Sequence, residues 1–335
     1  MARWIISFPS WAECQEYPTL NTQHSMNNRR WVLFSYTQLW WRGEPLVVQM
    51  ESTSGTVVLP LRIEYPEEAD GVAVIRFHGH GFIDVMDGWY TDVHYPTGEM
   101  IAALFDTIQQ RFDPCIIDLA GLLPNSPLLV ALLSLAEQGP GVQLMHSPCA
   151  TCLIADTSGG LDSWGQTLRK RLRRVERWGY RLELPQSQEA RTRSAQALLE
   201  YHEKRWTHDS DPVSHATIQA IVTTAINAPE MQFPSLLTPQ EHPVAVLLIF
   251  ENKKMNAFYV QGYDPVFKHI SPSRCAIALY LRYLAECRHG GLDFLRGDEE
   301  YKLEFCNREY DLMRVTFAIG QVPLSTLEAV HSSFI

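Results

Sequence analysis

Lysine is missing from the first 150 residues of this 335-residue chain, which carry only 7 basic but 16 acidic side chains. The remaining residues hold 21 basic and 22 acidic side chains, so most of the formal net charge of −10 lies in the first part. A negative net charge argues against a general nucleic-acid binder. An anionic partner is therefore expected only around the second part of the chain.

Cysteine and long apolar runs are also scarce. Seven cysteines, an odd number spread over the chain, do not form the pattern of a disulfide framework. The longest apolar run, residues 128–136, is broken by Ser134 and is too short to cross a bilayer. Residues 1–11 are too short and too aromatic for a secretory signal. We therefore expect a cytoplasmic protein without a membrane span.

The composition, with 46% apolar and 20% charged residues, is that of a globular protein, and the length predicts two domains. Period-2 and period-3.6 patterns predict an α/β (α+β) fold with mixed central sheets flanked by helices. In residues 1–145 the predicted strands cover 45–50, 56–63, 72–77 and 115–119, and the helices cover 98–111 and 127–138. We expect this segment to be the first domain.

The second domain is expected over residues 150–320. Its predicted helices cover residues 166–178, 190–206, 212–227 and 274–288. Its predicted strands cover residues 235–238, 244–250, 255–262 and 292–295. A hairpin at residues 251–254 joins two of these strands, and the crossover rule makes the last strand parallel to the one before it.

Two stretches in this domain carry a resemblance to a known family. One runs from Tyr259 to Pro265 (YVQGYDP) and is followed by Ser271-Pro272 and an apolar helix; the other is residues 291–305, GLDFLRGDEEYKLEF. With the basic helix at 168–174 and the HEKRW element at 202–206, they resemble the CelD/BcsL-like acyltransferases. These belong to the GNAT superfamily and are related to the FemABX peptidyltransferases.

The resemblance implies two GNAT-like lobes in tandem, with a degenerate first lobe on the acceptor side and the donor side in the second. It implies an N-acyltransferase that uses an acyl-CoA or acyl-carrier-protein thioester as cosubstrate and holds no permanent cofactor. The donor pyrophosphate would meet the start of the helix after Ser271, where the helix dipole favours an anion. The implied donor-binding residues are Ser271, Ser273, Arg274, Lys268 and Tyr263. Ser273 and Arg274 stand where the family often has glycine.

Acyl transfer to an amine needs a base and a donor for the thioester oxygen or the departing thiolate. Asp298, Tyr301 and Lys302 follow the last strand and are the predicted catalytic residues: Asp298 takes a proton, Tyr301 returns one to sulfur, and Lys302 stabilises an anion. The alternative is that Asp298 is a helix cap and Lys302 a solvated charge.

Acceptor binding is predicted for His80, Asp84 and Arg205. The alternatives are a turn with two satisfied histidines for His80 and Asp84, and a cation–π contact with Trp206 for Arg205. The acceptor is expected to be a small-molecule or peptide amine. No metal site is expected, because Cys149 and Cys152 have no second cysteine pair, and a hydrolase is not expected because no Gly-x-Ser-x-Gly elbow occurs. The pattern also predicts that Cys275, Cys287 and Cys306 lie on buried helix faces.

The segment 165–181 concentrates seven basic residues against one acid, Glu176. Three interpretations stay open for this segment. Residues 166–178 could bind an acyl carrier protein or CoA, they could bind an aminoacyl-tRNA, or they could form a solvated face without a ligand. Little aromatic surface is available for stacking bases, which makes nucleic acid the weaker choice. Two alternatives to the acyltransferase stay open: an aminoacyl-tRNA-dependent ligase of the Fem type and a catalytically silent binding protein of the same fold.

Overall fold

The computed structural model describes residues 5–8, 43–52, 55–80, 83–90, 98–138, 143–160, 165–206 and 212–333. The strands are β1 (Ile5–Ser7), β2 (Glu44–Ser52), β3 (Gly55–Glu64), β4 (Ala73–Phe77), β5 (Trp89–Tyr90), β6 (Cys115–Leu122), β7 (Leu144–Asp156), β8 (Arg181–Glu183), β9 (Met231–Gln232), β10 (Ser235–Leu237), β11 (Pro243–Phe250), β12 (Asn256–Tyr263), β13 (Gly291–Arg296) and β14 (Arg308–Ile319). The helices are α1 (Gly98–Phe112), α2 (Pro127–Gln138), α3 (Gln166–Arg177), α4 (Gln188–Trp206), α5 (Pro212–Ala225), α6 (Pro272–Glu286), α7 (Glu300–Leu303) and α8 (Leu324–Ser332). Short 3-10 helices cover Glu67–Ala69 and Pro265–Ile270.

The chain divides into two compact units, and the first consists of Met1–Thr151 together with Asp311–Ile335. Its strands follow the order β1-β2-β3-β4-β6-β14, antiparallel except for the parallel pair β4–β6. Helix α1 buries Ile101, Leu104 and Ile108, as its helical spacing predicts. The mixed α/β architecture expected from the sequence is therefore confirmed. No helix of the described residues is long and apolar enough to span a membrane.

The end of the chain returns to this first unit. The sequence analysis places residues 311–320 in the second domain, but they belong to the first unit. All but the last of them lie in β14, which pairs antiparallel with β6 from Met313 to Ile319. Helix α8 then buries Leu327 and Val330 in a cluster with Ile116 of β6. The boundary differs from the expected one because β14 completes the sheet of the first unit.

The second unit is Cys152–Tyr310, with the strand order β13-β12-β11-β10-β8. The pair β12–β13 is parallel and the other neighbours are antiparallel, as predicted. Helix α6 is almost wholly buried in the core of this unit. Cys275 is buried, but the prediction for Cys287 is wrong: it is exposed, because it stands at the C-cap beyond the last turn of α6. The prediction for Cys306 is also wrong, because α7 ends at Leu303 and Cys306 is half-buried outside any helix.

Helix α3 is the basic helix, and its apolar stripe is as predicted. Leu168, Leu172 and Val175 are buried, and each such side chain contributes about 1.5–3 kcal/mol to folding. Gly179 follows the helix at φ 71°, a left-handed conformation that glycine adopts without steric cost. The stripe fixes α3 on its core, and most of its arginines remain on the exposed side.

Candidate active site

The parallel strands β12 and β13 pair only at their beginnings. Their ladder consists of Asn256↔Leu292 and Ala257↔Asp293, although β12 continues to Tyr263 and β13 to Arg296. Each strand carries a register shift against its other neighbour, between Leu248 and Ile249 for β11–β12 and between Asp293 and Arg296 for β13–β7. Bulges of this kind bend a strand away from its partner. The ladder between the two strands therefore ends at Ala257 and Asp293, before either strand ends.

Asp293 holds the bend in β13. Its carboxylate is 2% exposed and accepts the N–H of Leu295 at 2.7 Å and the O–H of Tyr310 at 2.6 Å. Leu295 has φ 59°, so the Asp293 bond stabilises a backbone conformation that leucine rarely adopts. Burial and the charge of Asp293 raise the pKa of Tyr310, which keeps the hydroxyl protonated as a donor. Sequence analysis missed both residues as site residues; the signal was an aspartate inside the apolar strand GLDFL.

Helix α6 begins beside the end of β12. Its N-cap, Ser271, has φ 56° and makes no side-chain capping bond, and Pro272 occupies the first helical position. Ser273 is 7% exposed, and its Oγ has no hydrogen-bond partner among the described residues. The N–H groups of the first turn likewise lack partners within the helix, and the helix dipole is positive there. A free hydroxyl and free N–H groups at one helix start suit an oxyanion.

Positive charge gathers around this helix start. Arg274 bonds Glu304 at 3.3 Å, and Arg171 of α3 bonds the same carboxylate at 2.9 and 2.5 Å. Lys268 stands exposed on the 3-10 helix just before Ser271. Arg171 of the basic helix and Arg274 in the first turn of α6 thus meet at Glu304. The carboxylate neutralises part of their charge and fixes both side chains.

The three predicted catalytic residues lie together at the end of β13. Lys302 is buried, and Nζ donates to the carbonyls of Arg296 (2.7 Å) and Gly297 (3.2 Å) and pairs with Glu299 at 2.7 Å. An ammonium has three N–H donors, so the turn uses all of them. Gly297, at φ 107°, lets the chain fold around that ammonium. Lys302 therefore holds the turn together.

Asp298 and Tyr301 are carried by the turn that Lys302 holds. Asp298 is exposed. Tyr301 is half-buried, with its ring 6.5 Å from that of Phe294 in an edge-to-face arrangement. Tyr263, predicted on the donor side, ends β12 and is half-buried against the core of the unit. A carboxylate and a phenol beside separated strands can serve as base and acid in proton transfer.

The predicted acceptor residues are divided between the two units. His80 and Asp84 belong to the first unit. His80 is 5% exposed, burial lowers its pKa to about 3, and Nδ1 has no partner among the described residues. Asp84 is half-buried. Arg205 lies in the last turn of α4 in the second unit, and its side chain is outside the described part of the structure.

A cavity of about 620 Å³ lies next to the helix start in the second unit. Its wall includes the aromatic rings of Trp178, Tyr180 and Phe267, and Ile270, which directly precedes the N-cap of α6. Its size is within the range of small-molecule sites. Within the described residues, no group of three or more histidine, cysteine or acidic side chains is placed to hold a metal ion.

Part of the second unit is similar in sequence to a known family. Residues 165–303 match the family described as "Acetyltransferase (GNAT) domain". A conserved protein of unknown function from Bacteroides thetaiotaomicron VPI-5482 has a similar structure, with a TM-score of 0.61 at 11% identity, covering 94% of this chain and 100% of that one. None of the curated proteins has a sequence that matches this chain.

Two further solved structures are similar. FemX aligns with a TM-score of 0.56 at 12% identity, and the alignment covers 95% of this chain and 97% of the FemX chain. L-PGS from Bacillus licheniformis has a TM-score of 0.52 at 11% identity, covering 93% of this chain and 98% of its own. Residues 165–303 are thus similar to the GNAT acetyltransferase domain, and the mixed α/β fold of the chain is similar to the folds of FemX and L-PGS. Membership of the CelD/BcsL-like group stays a prediction.

Proposed function

We propose that the protein is an N-acyltransferase that moves an acyl group directly from an acyl-CoA or acyl-carrier-protein thioester to an amine. The observation that carries the proposal is the separation of β12 from β13 beside the free start of α6. An extended thioester arm with amide groups fits between two parallel strands whose ladder ends early, as a peptide fits a sheet edge. The gap and the helix start together suit a long anionic donor.

The donor's phosphate is proposed to bind at the start of α6. Ser273 and the first N–H groups would contact the oxyanion, and Ser271 would shape the turn. Lys268 and Arg274 would add positive charge, and Tyr263 would line the end of β12. The buried, unpartnered Oγ of Ser273 supports this placement, because a buried hydroxyl without a partner costs free energy in the absence of a ligand.

The reaction is proposed to proceed through a tetrahedral intermediate. Asp298 takes the proton of the amine, directly or through water, as nitrogen attacks the thioester carbon. Tyr301 gives a proton to the departing sulfur. Lys302 acts in this proposal as a positioning residue, because its three donors are used within the turn that carries the other two.

The amine is proposed to be a small molecule or the amine of a peptide, with His80, Asp84 and Arg205 on the acceptor side. The lysine-free, acidic first part of the chain supports an acceptor that is not a polyanion. A neutral His80, kept so by burial, would accept or donate one hydrogen bond to that acceptor.

The proposal is tested by offering acyl-CoA thioesters of several chain lengths with a panel of amines and measuring free thiol release and acylated product. We expect Asp298→Asn to lower kcat about 100-fold or more, as loss of a general base does. We expect Lys268→Ala to raise the KM for the donor, whereas Lys253→Ala, an exposed lysine of the β11–β12 hairpin, should not. No acylated amine with any CoA, pantetheine or carrier-protein thioester would contradict the proposal.

An aminoacyl-tRNA-dependent ligase of the Fem type is the second candidate. The exposed basic residues of α3 and the similarity of the fold to FemX favour it. Incubation with charged tRNA and the amine panel distinguishes the two, because only the ligase consumes aminoacyl-tRNA. A catalytically silent binding protein would bind donor or acceptor and release no thiol.

A further inference from the structure

Ser147 and His331 are 184 residues apart in sequence and meet in the first unit. Ser147 lies on β7, and His331 lies in the last turn of α8. The serine Oγ is 2.9 Å from Nε2 of the imidazole, the separation of a nucleophile hydrogen-bonded to its base. Both side chains are half-buried, and His146 and Pro148 on either side of Ser147 are exposed, so solvent reaches this part of the strand.

A third group orients the imidazole. Thr316 of β14 places Oγ1 2.7 Å from Nδ1 of His331 and 3.2 Å from a carboxylate oxygen of Asp118. Asp118 is fully buried and also accepts hydrogen bonds from Arg76 and Arg314 at 2.7–2.8 Å. Burial opposes its ionisation, but the bonds and charges of the two arginines outweigh it and hold the pKa of the carboxyl below its usual value.

These contacts determine where the protons lie. An ionised Asp118 only accepts hydrogen bonds, so the hydroxyl of Thr316 donates its single proton to it. Thr316 Oγ1 must then accept from Nδ1–H of His331. Burial and the charge of Arg314 lower the pKa of His331, with His146 acting in the same direction and Asp118 against it, so the ring is neutral near pH 7. Nε2 therefore carries the lone pair that accepts the proton of Ser147.

We propose that Ser147 is a nucleophile that takes acyl groups from small activated esters, with His331 as its base and Thr316 and Asp118 as positioning residues. Oγ attacks the carbonyl carbon while its proton passes to Nε2. The bond from that carbon to the leaving oxygen then breaks, the leaving group takes the proton from Nε2, and an acyl-serine remains. Water attacks the ester with the same base, which releases the carboxylic acid and regenerates Ser147.

This site is separate from the donor site proposed above. All four of its residues belong to the first unit, whereas Ser273, Asp298 and Tyr301 belong to the second. No nucleophile elbow surrounds Ser147 in the sequence. Such constellations are recognised by geometry and roles, which only the folded chain brings together.

The full-length protein is mixed rapidly with p-nitrophenyl acetate, and the burst of p-nitrophenolate and the acetylated peptide are measured. We expect a stoichiometric burst with the acetyl group on Ser147. The burst should be lost in Ser147→Ala, and acylation should slow about 100-fold in His331→Gln. Ser134→Ala is the matched control, since that hydroxyl is used by the Val130 carbonyl on α2, and it should keep the burst.

Positioning by Thr316 has its own readout. Thr316→Val should slow acylation, and Thr316→Ser, which restores the hydroxyl, should recover it. Fluorophosphonate labelling of the unaltered protein, mapped by mass spectrometry, needs no variant and should modify Ser147. The proposal fails if neither reagent modifies Ser147 of the folded protein, or if His331→Gln is acylated there at the unaltered rate.

Discussion

Lys302 is a buried charge whose ammonium contacts Arg296, Gly297 and Glu299 in the turn that carries Asp298 and Tyr301. Lys302→Met keeps the apolar stem but leaves the carbonyls of Arg296 and Gly297 without their donor. We expect the free energy of unfolding to fall by about 1–3 kcal/mol per unsatisfied group, with kcat falling as the turn loosens. Urea unfolding and turnover measure both, with Lys253→Met as control. Unchanged stability with lost activity would instead place the ammonium on a ligand.

His80 makes the stability of the first unit sensitive to acid. Burial lowers its pKa to about 3 in the folded chain, against an ordinary 6.5, so between these values the unfolded chain binds a proton that the folded chain excludes. The free energy of unfolding from this group should therefore fall by about 1.4 kcal/mol per pH unit as the pH drops from 6.5 toward 3.

The check is urea unfolding between pH 7 and pH 4. His80→Asn should flatten the dependence in that window, whatever it does to stability at pH 7. His269→Asn, an exposed histidine, should leave the slope unchanged. Equal slopes for His80→Asn and the unaltered protein would mean that solvent reaches the His80 ring.

At the level of elements, the bend in β13 depends on one tyrosine outside the strand. Tyr310→Phe removes a donor from the buried carboxylate of Asp293. We expect the free energy of unfolding to fall by about 1–3 kcal/mol, because the buried carboxylate loses a hydrogen bond. We also expect a higher KM for the donor, because the backbone of β13 is then held less firmly in its bent conformation. Calorimetry and steady-state kinetics measure these effects, and Tyr65→Phe, an exposed tyrosine, is the control. A lower melting temperature with an unchanged KM would separate the bend from donor binding.

The sequence predicts most individual helices and strands, but it predicts few of the pairings between strands that are distant in sequence. The spacing of apolar residues predicts α1 and α3, because the buried stripe of each helix is visible within a short stretch of sequence. The crossover rule predicts the parallel pair β12–β13 from the helix between the two strands. The sequence does not predict β14 as a partner of β6, since the paired residues are 191 to 204 positions apart in sequence, from Met313↔Leu122 to Ile319↔Cys115, and carry no local sign of their pairing. The same difference applies to the candidate sites. Asp298, Tyr301 and Lys302 are neighbours in sequence and are predicted together. The contacts of Asp293 with Tyr310 and of Ser147 with His331 join residues far apart in sequence, so only the folded structure shows them.

At the scale of the molecule, the distribution of charge predicts how a carrier protein would be recognised. Arg173 and Arg177 are exposed on α3, while Arg171 is engaged by Glu304. Arg173→Ser with Arg177→Ser should raise the KM for a carrier-protein thioester several-fold and weaken its salt dependence, with little effect on the CoA thioester. Kinetics at two ionic strengths decide this. An equal effect on both donors would place these arginines at the CoA site itself.

The return of β14 to the first unit has a consequence for synthesis. Residues 152–310 form a continuous unit, but the first unit also requires Asp311–Ile335, which are translated after the whole of the second unit. During translation, the edge of β6 that pairs with β14 therefore stays unpaired until β14 has been made. By then the second unit, residues 152–310, has been synthesised completely and can fold. A nascent chain that is arrested when residue 310 has just left the ribosome should thus carry a protease-resistant second unit, while proteases still cleave its amino-terminal segment.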